Sequence, residues 1–286
     1  MNRRTFLERA GLGVAGVEMW RRGPAFGPRA GGDTTRLGRI GLELYSVRDA
    51  MGRDPERTLA AVRAMGYEDV ELLWSFGNFG RSTAQVRRAL ANEGLRASSA
   101  HISPAAVLVG WERALATAAE LGHEYLIVPS FTADTSRTLD DWKEWAHRFS
   151  LAGEVARRSG IWLAFHNEPG HLRPIDGVVP YDVFIANADP ATVRLQLDVG
   201  NMLMGKGDPH AYLARYRDRY WSFHLKDVVA DGSRDTELGH GAFDFRKFLA
   251  AVPDLARKPC FVEQEGARDS MASAKLNYRY LSALEF

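Results

Sequence analysis

The chain has 286 residues, of which 45% are hydrophobic and 26% are charged. This composition is typical of a globular protein and supplies enough apolar material for one large folded domain. The formal net charge of +1 gives no support to attraction by nucleic acid or by a membrane surface, so neither is expected as a partner. Cys260 is the only cysteine, which excludes an intramolecular disulfide and a cysteine metal cluster.

The first residues of the chain resemble an export signal. The opening MNRRTFLE contains paired arginines followed by Phe6 and Leu7, as in a twin-arginine signal, which a receptor reads as an address for the periplasm. Glu18 cuts the following apolar stretch short, so a basic leader on a cytoplasmic protein is the alternative. Together with a linker rich in Gly, Arg and Pro, this segment predicts a disordered leader over residues 1–36. The folded domain is predicted over residues 37–286.

Eight short apolar runs in the rest of the chain are typical of β-strands. They alternate with amphipathic segments, several of which end at a glycine just before the next strand, as expected where a left-handed residue closes a helix. For example, a helix over 55–65 has Asp54 as its N-cap and Gly66 at its end. The predicted strands are 39–46, 68–73, 95–101, 124–129, 161–167, 193–198, 220–225 and 259–264.

The regular alternation of eight strands with eight helices favours a closed (β/α)8 barrel, or TIM barrel, within the α/β class. An open, doubly wound sheet is the alternative. The sequence has no glycine-rich phosphate loop after an early strand, because the GLGVAG at 11–16 has no strand before it. This absence argues against a dinucleotide-binding fold.

Polar side chains follow the last four apolar runs, at the strand ends where a barrel of this type collects its chemistry. Residues two apart along a strand share a face, so several of these side chains should point into the same mouth. Because unpaired buried charges are costly, a shared cation explains them together. Carboxylates mixed with imidazoles suit one divalent ion such as Mn²⁺, Zn²⁺ or Co²⁺. The residues are His166, Glu168, Asp198, His224, Glu263 and Glu265.

Each of these residues also has a simpler interpretation. Asp198 could cap the next helix, and His224 could be a hydrogen-bonded core histidine. Glu263 could form a buried salt bridge with Lys226. Glu168 could be a loop carboxylate. In the first half of the chain, Glu71 and His101 lie late in their strands and are predicted to face the same mouth, as candidates for substrate contact.

The segments that carry these residues resemble the sugar phosphate isomerase/epimerase family, the xylose isomerase-like TIM barrels. The similarity runs from Ile40 to about Leu281. It rests on GLELYSVRD (41–49), GYEDVELLW (66–74), FHNEPGH (165–171), LQLDVGN (195–201), HLKD (224–227), GHGAFDF (239–245) and FVEQEG (261–266).

The resemblance implies one divalent metal ion at the barrel mouth, held by residues from strands five to eight. Asp198, His224 and Glu263 match the family pattern. In the fifth strand, histidine and glutamate stand exchanged relative to many relatives. Glu168 is therefore expected as the fourth ligand, with His166 as the alternative, and His171 is expected to approach the substrate from the loop.

The implied function is a metal-dependent carbohydrate isomerase or epimerase that removes a proton next to a carbonyl and passes through an enediolate. Glu263 and Glu168 are the candidate proton carriers, and Lys226 would stabilise the negative charge. A lyase or hydratase acting on 3-keto sugars or glycosides is an alternative, as are a metal-dependent hydrolase and an inactive sugar-binding barrel. The expected partner is a small carbohydrate, and because dimers are common among relatives a homodimer is left open.

Overall fold

The structure, a computed structural model, describes residues 35–286. In this part of the chain eight parallel strands close into a barrel, in which each strand pairs with its neighbours in sequence and the eighth pairs with the first. The predicted TIM barrel is therefore confirmed, and the open sheet is wrong. The predicted leader over 1–36 falls almost entirely outside the described residues. The barrel strands are Gly41–Glu43, Asp69–Leu73, Arg96–His101, Tyr125–Val128, Trp162–His166, Val193–Asp198, Tyr220–Leu225 and Cys260–Val262.

Helices cover the outside of the barrel and occupy the loops between strands. The α-helices are Arg48–Arg53, Pro55–Met65, Gly77–Gly80, Thr83–Glu93, Pro104–Leu108, Trp111–Leu121, Leu139–Arg158, Pro180–Asn187, Val199–Met204, Pro209–Arg215, Phe245–Ala251 and Ser270–Ala283. Short 3-10 helices occupy Leu44–Val47, Trp74–Phe76, Pro169–Leu172 and Leu255–Arg257. Among residues 35–286, none of the helices combines the length and apolar composition that crossing a membrane requires.

Helix ends follow the capping chemistry of the sequence. The Asp54 side chain accepts a hydrogen bond from the backbone N–H of Arg57, and the helix Pro55–Met65 ends at Gly66, whose φ of 113° few other residues adopt. A Cβ atom at position 66 would also clash with the Tyr278 ring. These contacts fix where this helix stops and where the second strand enters the barrel.

The apolar core lies between the barrel and the helices. Aromatic side chains dominate it around the fifth strand, where Phe131 stacks on Trp145 and Phe165 with ring centroids 4.5 and 4.7 Å apart. Phe165 points outward into this core, so its neighbour His166 points into the barrel. Packing of the outer face therefore decides which side chains of the fifth strand face the interior.

Candidate functional site

Four side chains from the ends of strands five to eight converge inside the barrel mouth. His166 and Asp198 end their strands, His224 lies one residue before the end of its strand, and Glu263 directly follows the eighth strand. One nitrogen or oxygen atom from each of them lies within 4.8 Å of all the others, and all four residues are buried. Two imidazoles and two carboxylates at this spacing form a donor set that suits a single divalent transition-metal ion.

Several buried atoms of this group have no hydrogen-bond partner among the described residues. They are both ring nitrogens of His166 and Oδ2 of Asp198. The Lys226 ammonium lies 3.1 Å from that oxygen as an ion pair, but not in hydrogen-bonding geometry. Because buried polar atoms are rarely left unpaired, the residues present fit a bound cation. Burial also lowers the pKa of His166 to about 3, which keeps its ring in the neutral form that binds metals.

The charge balance inside the barrel points the same way. Glu43, Glu71, Asp198 and Glu263 are buried carboxylates, and Lys226 is the one Lys or Arg within residues 35–286 that forms an ion pair with any of them. Unpaired negative charge in such a place is costly. The interior therefore favours an additional positive charge, which a divalent cation or protonated histidines could supply.

His224 is held between two carboxylates. Its Nδ1 lies 2.6 Å from Oε2 of Glu263, and its Nε2 lies 2.6 Å from Oε1 of Glu71. Although burial lowers the pKa of His224, these carboxylates outweigh that effect and raise it well above the usual value. The ring thus presents Nδ1 to the four-residue group and Nε2 to the barrel interior.

The two candidates on the fifth strand occupy different depths. His166 belongs to the four-residue group, whereas Glu168 lies above it at the rim, with 35% of its side chain exposed and Oε1 3.9 Å from Nδ1 of His166. Its other oxygen accepts a hydrogen bond from Asn201. Burial and the nearby carboxylates, chiefly Glu263, raise the pKa of Glu168 to about 8, although Lys226 opposes them.

Lys226 connects the group to the rim. Its ammonium lies 3.1 Å from Asp198, 3.2 Å from Glu263 and 2.6 Å from Glu265, and its side chain is 1% exposed. It also donates to Oδ1 of Asn201. Burial alone would lower the pKa of Lys226, but the three carboxylates raise it well above the usual value. The ammonium is therefore a fixed positive charge at the mouth.

Gly200, in the helix that follows Asp198, makes room for Lys226. A Cβ at this position would lie 2.5 Å from Cγ of Lys226. We expect Gly200→Ala to lower the free energy of unfolding by about 1–3 kcal/mol, because the added methyl group must displace a packed side chain. Urea unfolding checks this, with Gly170→Ala as control, since a Cβ at Gly170 meets nothing within 4 Å. Equal stability of the Gly200→Ala protein and the wild type would show that Lys226 moves aside freely.

Glu71 and His101 lie inside the barrel, against the four-residue group. Glu71 is fully buried, and His101 sits between two carboxylates, with Nδ1 3.1 Å from Glu43 and Nε2 3.0 Å from Glu71. The ring of His101 stacks on that of His224 with centroids 5.3 Å apart. The structure thus places both residues next to His224 inside the barrel.

His171 faces away from the group. Its Nδ1 accepts a hydrogen bond from the backbone N–H of Glu168, and its ring packs on Trp142 and stacks on Phe165. Burial lowers its pKa to about 3. In this position the His171 side chain supports the loop after the fifth strand and is not part of the four-residue group.

Two amide side chains that are not among the predicted site residues organise the site. Asn167 receives the backbone N–H of Asp198 on Oδ1 and donates to the backbone carbonyl of Asp198, which ties the ends of strands five and six together. Gln196 donates to Glu71 and Ser222 from inside the barrel. Gln196 stands two residues before Asp198, and strand alternation predicts that the two side chains share a face.

The loops after strands seven and eight form an ordered rim around the barrel mouth. Asp227, two residues after the end of the seventh strand, accepts hydrogen bonds from the backbone N–H groups of Gly239 and Gly241, which folds the GHG segment back over it. An antiparallel pair, Asp227–Val228 with Asp235–Thr236, supports this loop. Asp235 in turn accepts the backbone N–H of Glu265. The loops after strands seven and eight are therefore bound to each other.

Comparison with known proteins decides the family. The model of the family described as xylose isomerase-like TIM barrel matches residues 59–284. The chain belongs to this family. A solved sugar phosphate isomerase/epimerase from Parabacteroides distasonis is 25% identical to this xylose isomerase-like barrel, covers 87% of it and 95% of the solved chain, and superimposes with a TM-score of 0.75. The predicted resemblance is confirmed.

Curated relatives of this xylose isomerase-like barrel match it over a shorter segment. Inosose dehydratase of Lacticaseibacillus casei is 29% identical over 115 residues, which is 40% of this chain and 36% of the relative. Inosose dehydratase of Bacillus anthracis is 27% identical over 143 residues, which is 48% of this chain and 45% of the relative. The chain thus spans less than half the length of these curated relatives.

Proposed function

We propose that this protein is a divalent-metal-dependent carbohydrate isomerase or epimerase, which removes a proton from the carbon next to a carbonyl group. The observation that carries the proposal is the group of His166, Asp198, His224 and Glu263, whose donor atoms converge and are in part unpaired. A Lewis acid held there would polarise a substrate carbonyl and make the neighbouring C–H bond more acidic.

The residues of the mouth have distinct roles in this proposal. His166 replaces Glu168 as the fifth-strand ligand, because its ring lies within the convergent group and the Glu168 carboxylate does not. Glu168 instead faces the open mouth, where a carboxylate is placed to accept or return a substrate proton. Glu263 is the second carboxylate that could carry the proton.

Lys226 acts in the proposal as a fixed counter-charge. Three carboxylates contact its ammonium and keep it protonated, so it does not serve as the group that gives up a proton. It holds Asp198 and Glu263 in place and neutralises negative charge that develops on the substrate oxygen. Glu265, whose side chain is 42% exposed, also forms an ion pair with this ammonium at the edge of the mouth.

A lyase is the second candidate, and the curated relatives from Lacticaseibacillus casei and Bacillus anthracis favour it because both are inosose dehydratases. The first step is the same proton removal to a carboxylate. In a dehydratase the C–O bond at the next carbon then breaks, and the departing hydroxyl takes up a proton to leave as water. The products differ, since an isomerase conserves the substrate formula and a dehydratase forms an unsaturated ketone.

Metal analysis and isotope exchange test the proposal. We expect purified protein to bind one equivalent of Mn²⁺, Zn²⁺ or Co²⁺, and the loaded protein to exchange solvent deuterium into at least one sugar or cyclitol ketone of a panel. Metal-stripped protein is the control. A product that differs in mass from the substrate only by the incorporated deuterium indicates an isomerase or epimerase. A product that has lost one water molecule and shows new ultraviolet absorption indicates a dehydratase. Bound metal without exchange into any ketone would contradict the proposal and favour a hydrolase or a sugar-binding barrel.

A further inference from the structure

The Glu71 side chain has no exposed surface and is enclosed by other side chains of the barrel interior. It lies in the second strand, Asp69–Leu73, and its side chain is 0% exposed. The His224 and His101 rings lie against it, with Nε2 of each ring 2.6 and 3.0 Å from Oε1 of Glu71. Whatever Glu71 contributes, it must contribute through these neighbours.

The contact with His224 fixes which ring nitrogen is free. Nδ1 of His224 faces Glu263 and the convergent group, while Nε2 faces Glu71. A neutral imidazole carries one N–H, and a carboxylate oxygen accepts it. A cation can bind Nδ1 only when that nitrogen has lost its proton, and Glu71, which accepts the N–H of Nε2, would then leave the lone pair of Nδ1 directed at the group. Carboxylates that hold a ligating histidine in this way set both its tautomer and its orientation.

Glu71 is itself held rigidly from several strands. Ser99 of the third strand donates to Oε2 at 2.5 Å. Gln196 of the sixth strand donates to the same oxygen at 3.1 Å. The carboxylate plane is thereby fixed independently of His224. Several independent hydrogen bonds of this kind hold a binding group to within a fraction of an ångström of the position it needs for function.

We propose that Glu71 is a positioning residue that orients His224 for metal binding through the Glu71–His224 hydrogen bond, with Ser99 and Gln196 fixing Glu71. This inference rests on the proposed metal-dependent function and goes beyond it. It also replaces the predicted role of Glu71 in substrate contact with a role beneath the site. Removing such a partner weakens metal binding by about 10–100-fold in comparable sites.

Titration of metal-stripped protein with Co²⁺ tests the inference. We expect Glu71→Gln to raise the dissociation constant by about 10–100-fold and to shift the visible absorption of the bound Co²⁺, because the His224 ring loses its orientation. The matched control is Asp69→Asn, the same change at a buried carboxylate of the same strand, which accepts only the backbone N–H of Ser98. The control should keep the wild-type dissociation constant and spectrum.

A second variant keeps the inference testable if Glu71→Gln does not fold. Ser99→Ala removes one hydrogen bond to Glu71 and no charge, and it should raise the dissociation constant several-fold. Wild-type Co²⁺ binding and an unchanged spectrum in a folded Glu71→Gln or Ser99→Ala protein would overturn the positioning role. If the wild type itself binds no divalent cation, the proposed function fails instead, so the two failures are distinguishable.

Discussion

The Asp198→Ala protein is expected to bind no divalent cation at stoichiometric concentration and to lose about 10²–10³-fold or more of its kcat/KM, the range for removing an electrostatic stabiliser of a transition state. Asp198 is fully buried at the end of the sixth strand, and its Oδ2 is one of the atoms of the convergent group that have no hydrogen bond among the described residues. Its loss removes one of the two carboxylates of the proposed donor set. Equilibrium dialysis followed by elemental analysis measures the stoichiometry.

A structural role of Asp198 must be separated from metal binding. Its other oxygen, Oδ1, caps the helix Val199–Met204 by accepting the backbone N–H of Asn201 at 2.7 Å. Loss of such a cap costs about 1 kcal/mol. Asp198→Asn keeps a capping oxygen but removes the charge, so it should retain stability better than Asp198→Ala and still lose the metal.

Asp208 provides the matched control for both changes. It caps the helix Pro209–Arg215 by accepting the backbone N–H groups of His210 and Ala211, and it is exposed outside the barrel mouth. Asp208→Ala should lose a similar cap energy and bind metal as the wild type does. Full metal stoichiometry in a folded Asp198→Asn protein would show that Asp198 is a helix cap and not a ligand.

The fold was predictable because local signals agreed with one another. The helix Pro55–Met65 begins after Asp54 and ends at Gly66, at the predicted bounds. The first strand is shorter than the predicted 39–46, because Leu44–Val47 forms a 3-10 helix whose residues are mostly buried. Apolar residues in that segment are as compatible with a buried 3-10 turn as with a strand. Composition alone therefore does not tell which of the two structures forms.

The sequence predicts on which side of its strand a residue lies more readily than how deep in the barrel its side chain sits. Strand alternation correctly places His166 and Glu168 on one side, but it does not tell which of them lies level with Asp198. The fifth strand ends at His166, and the chain turns at Asn167, which pairs with the backbone of Asp198. Glu168 therefore rises to the rim.

Long-range contacts explain the remaining differences. The sequence predicts that Glu71 and His101 point inward, yet nothing local indicates that the His224 ring reaches across the barrel to Glu71. Asp198 is correctly interpreted as a possible helix cap, but the bounds of the helix Val199–Met204 are not predicted, since its VGNMLM sequence contains a glycine and an asparagine. Its capping by Asp198 and its packing under Lys226 stabilise it despite weak helix propensity.

The second large effect is expected at Lys226. We expect Lys226→Met to lower the free energy of unfolding of the metal-free protein by about 3–5 kcal/mol, the range for removing one partner of a buried ion pair. Methionine preserves most of the side-chain volume, so the loss is chiefly one of charge. It leaves Asp198 and Glu263, both buried, without their ammonium.

The pH dependence of this difference has a definite sign. The folded-state pKa of Lys226 lies above its usual value, because the stabilising carboxylates outweigh burial. Its contribution is therefore fully present below the pKa of the unfolded state and is lost only as the pH rises through the higher folded-state value. We expect the contribution of the Lys226 ammonium itself to this difference to persist from about pH 7 to pH 9.

Urea unfolding with and without added cation completes the test. Lys275, exposed on the helix Ser270–Ala283, offers the matched control, and Lys275→Met should change the unfolding energy by less than about 0.5 kcal/mol. A bound cation should stabilise Lys226→Met more than the wild type, because it supplies positive charge that the variant lacks. Equal stabilisation of both proteins would mean that the ammonium and the cation do not share the same carboxylates, and would separate Lys226 from the metal centre.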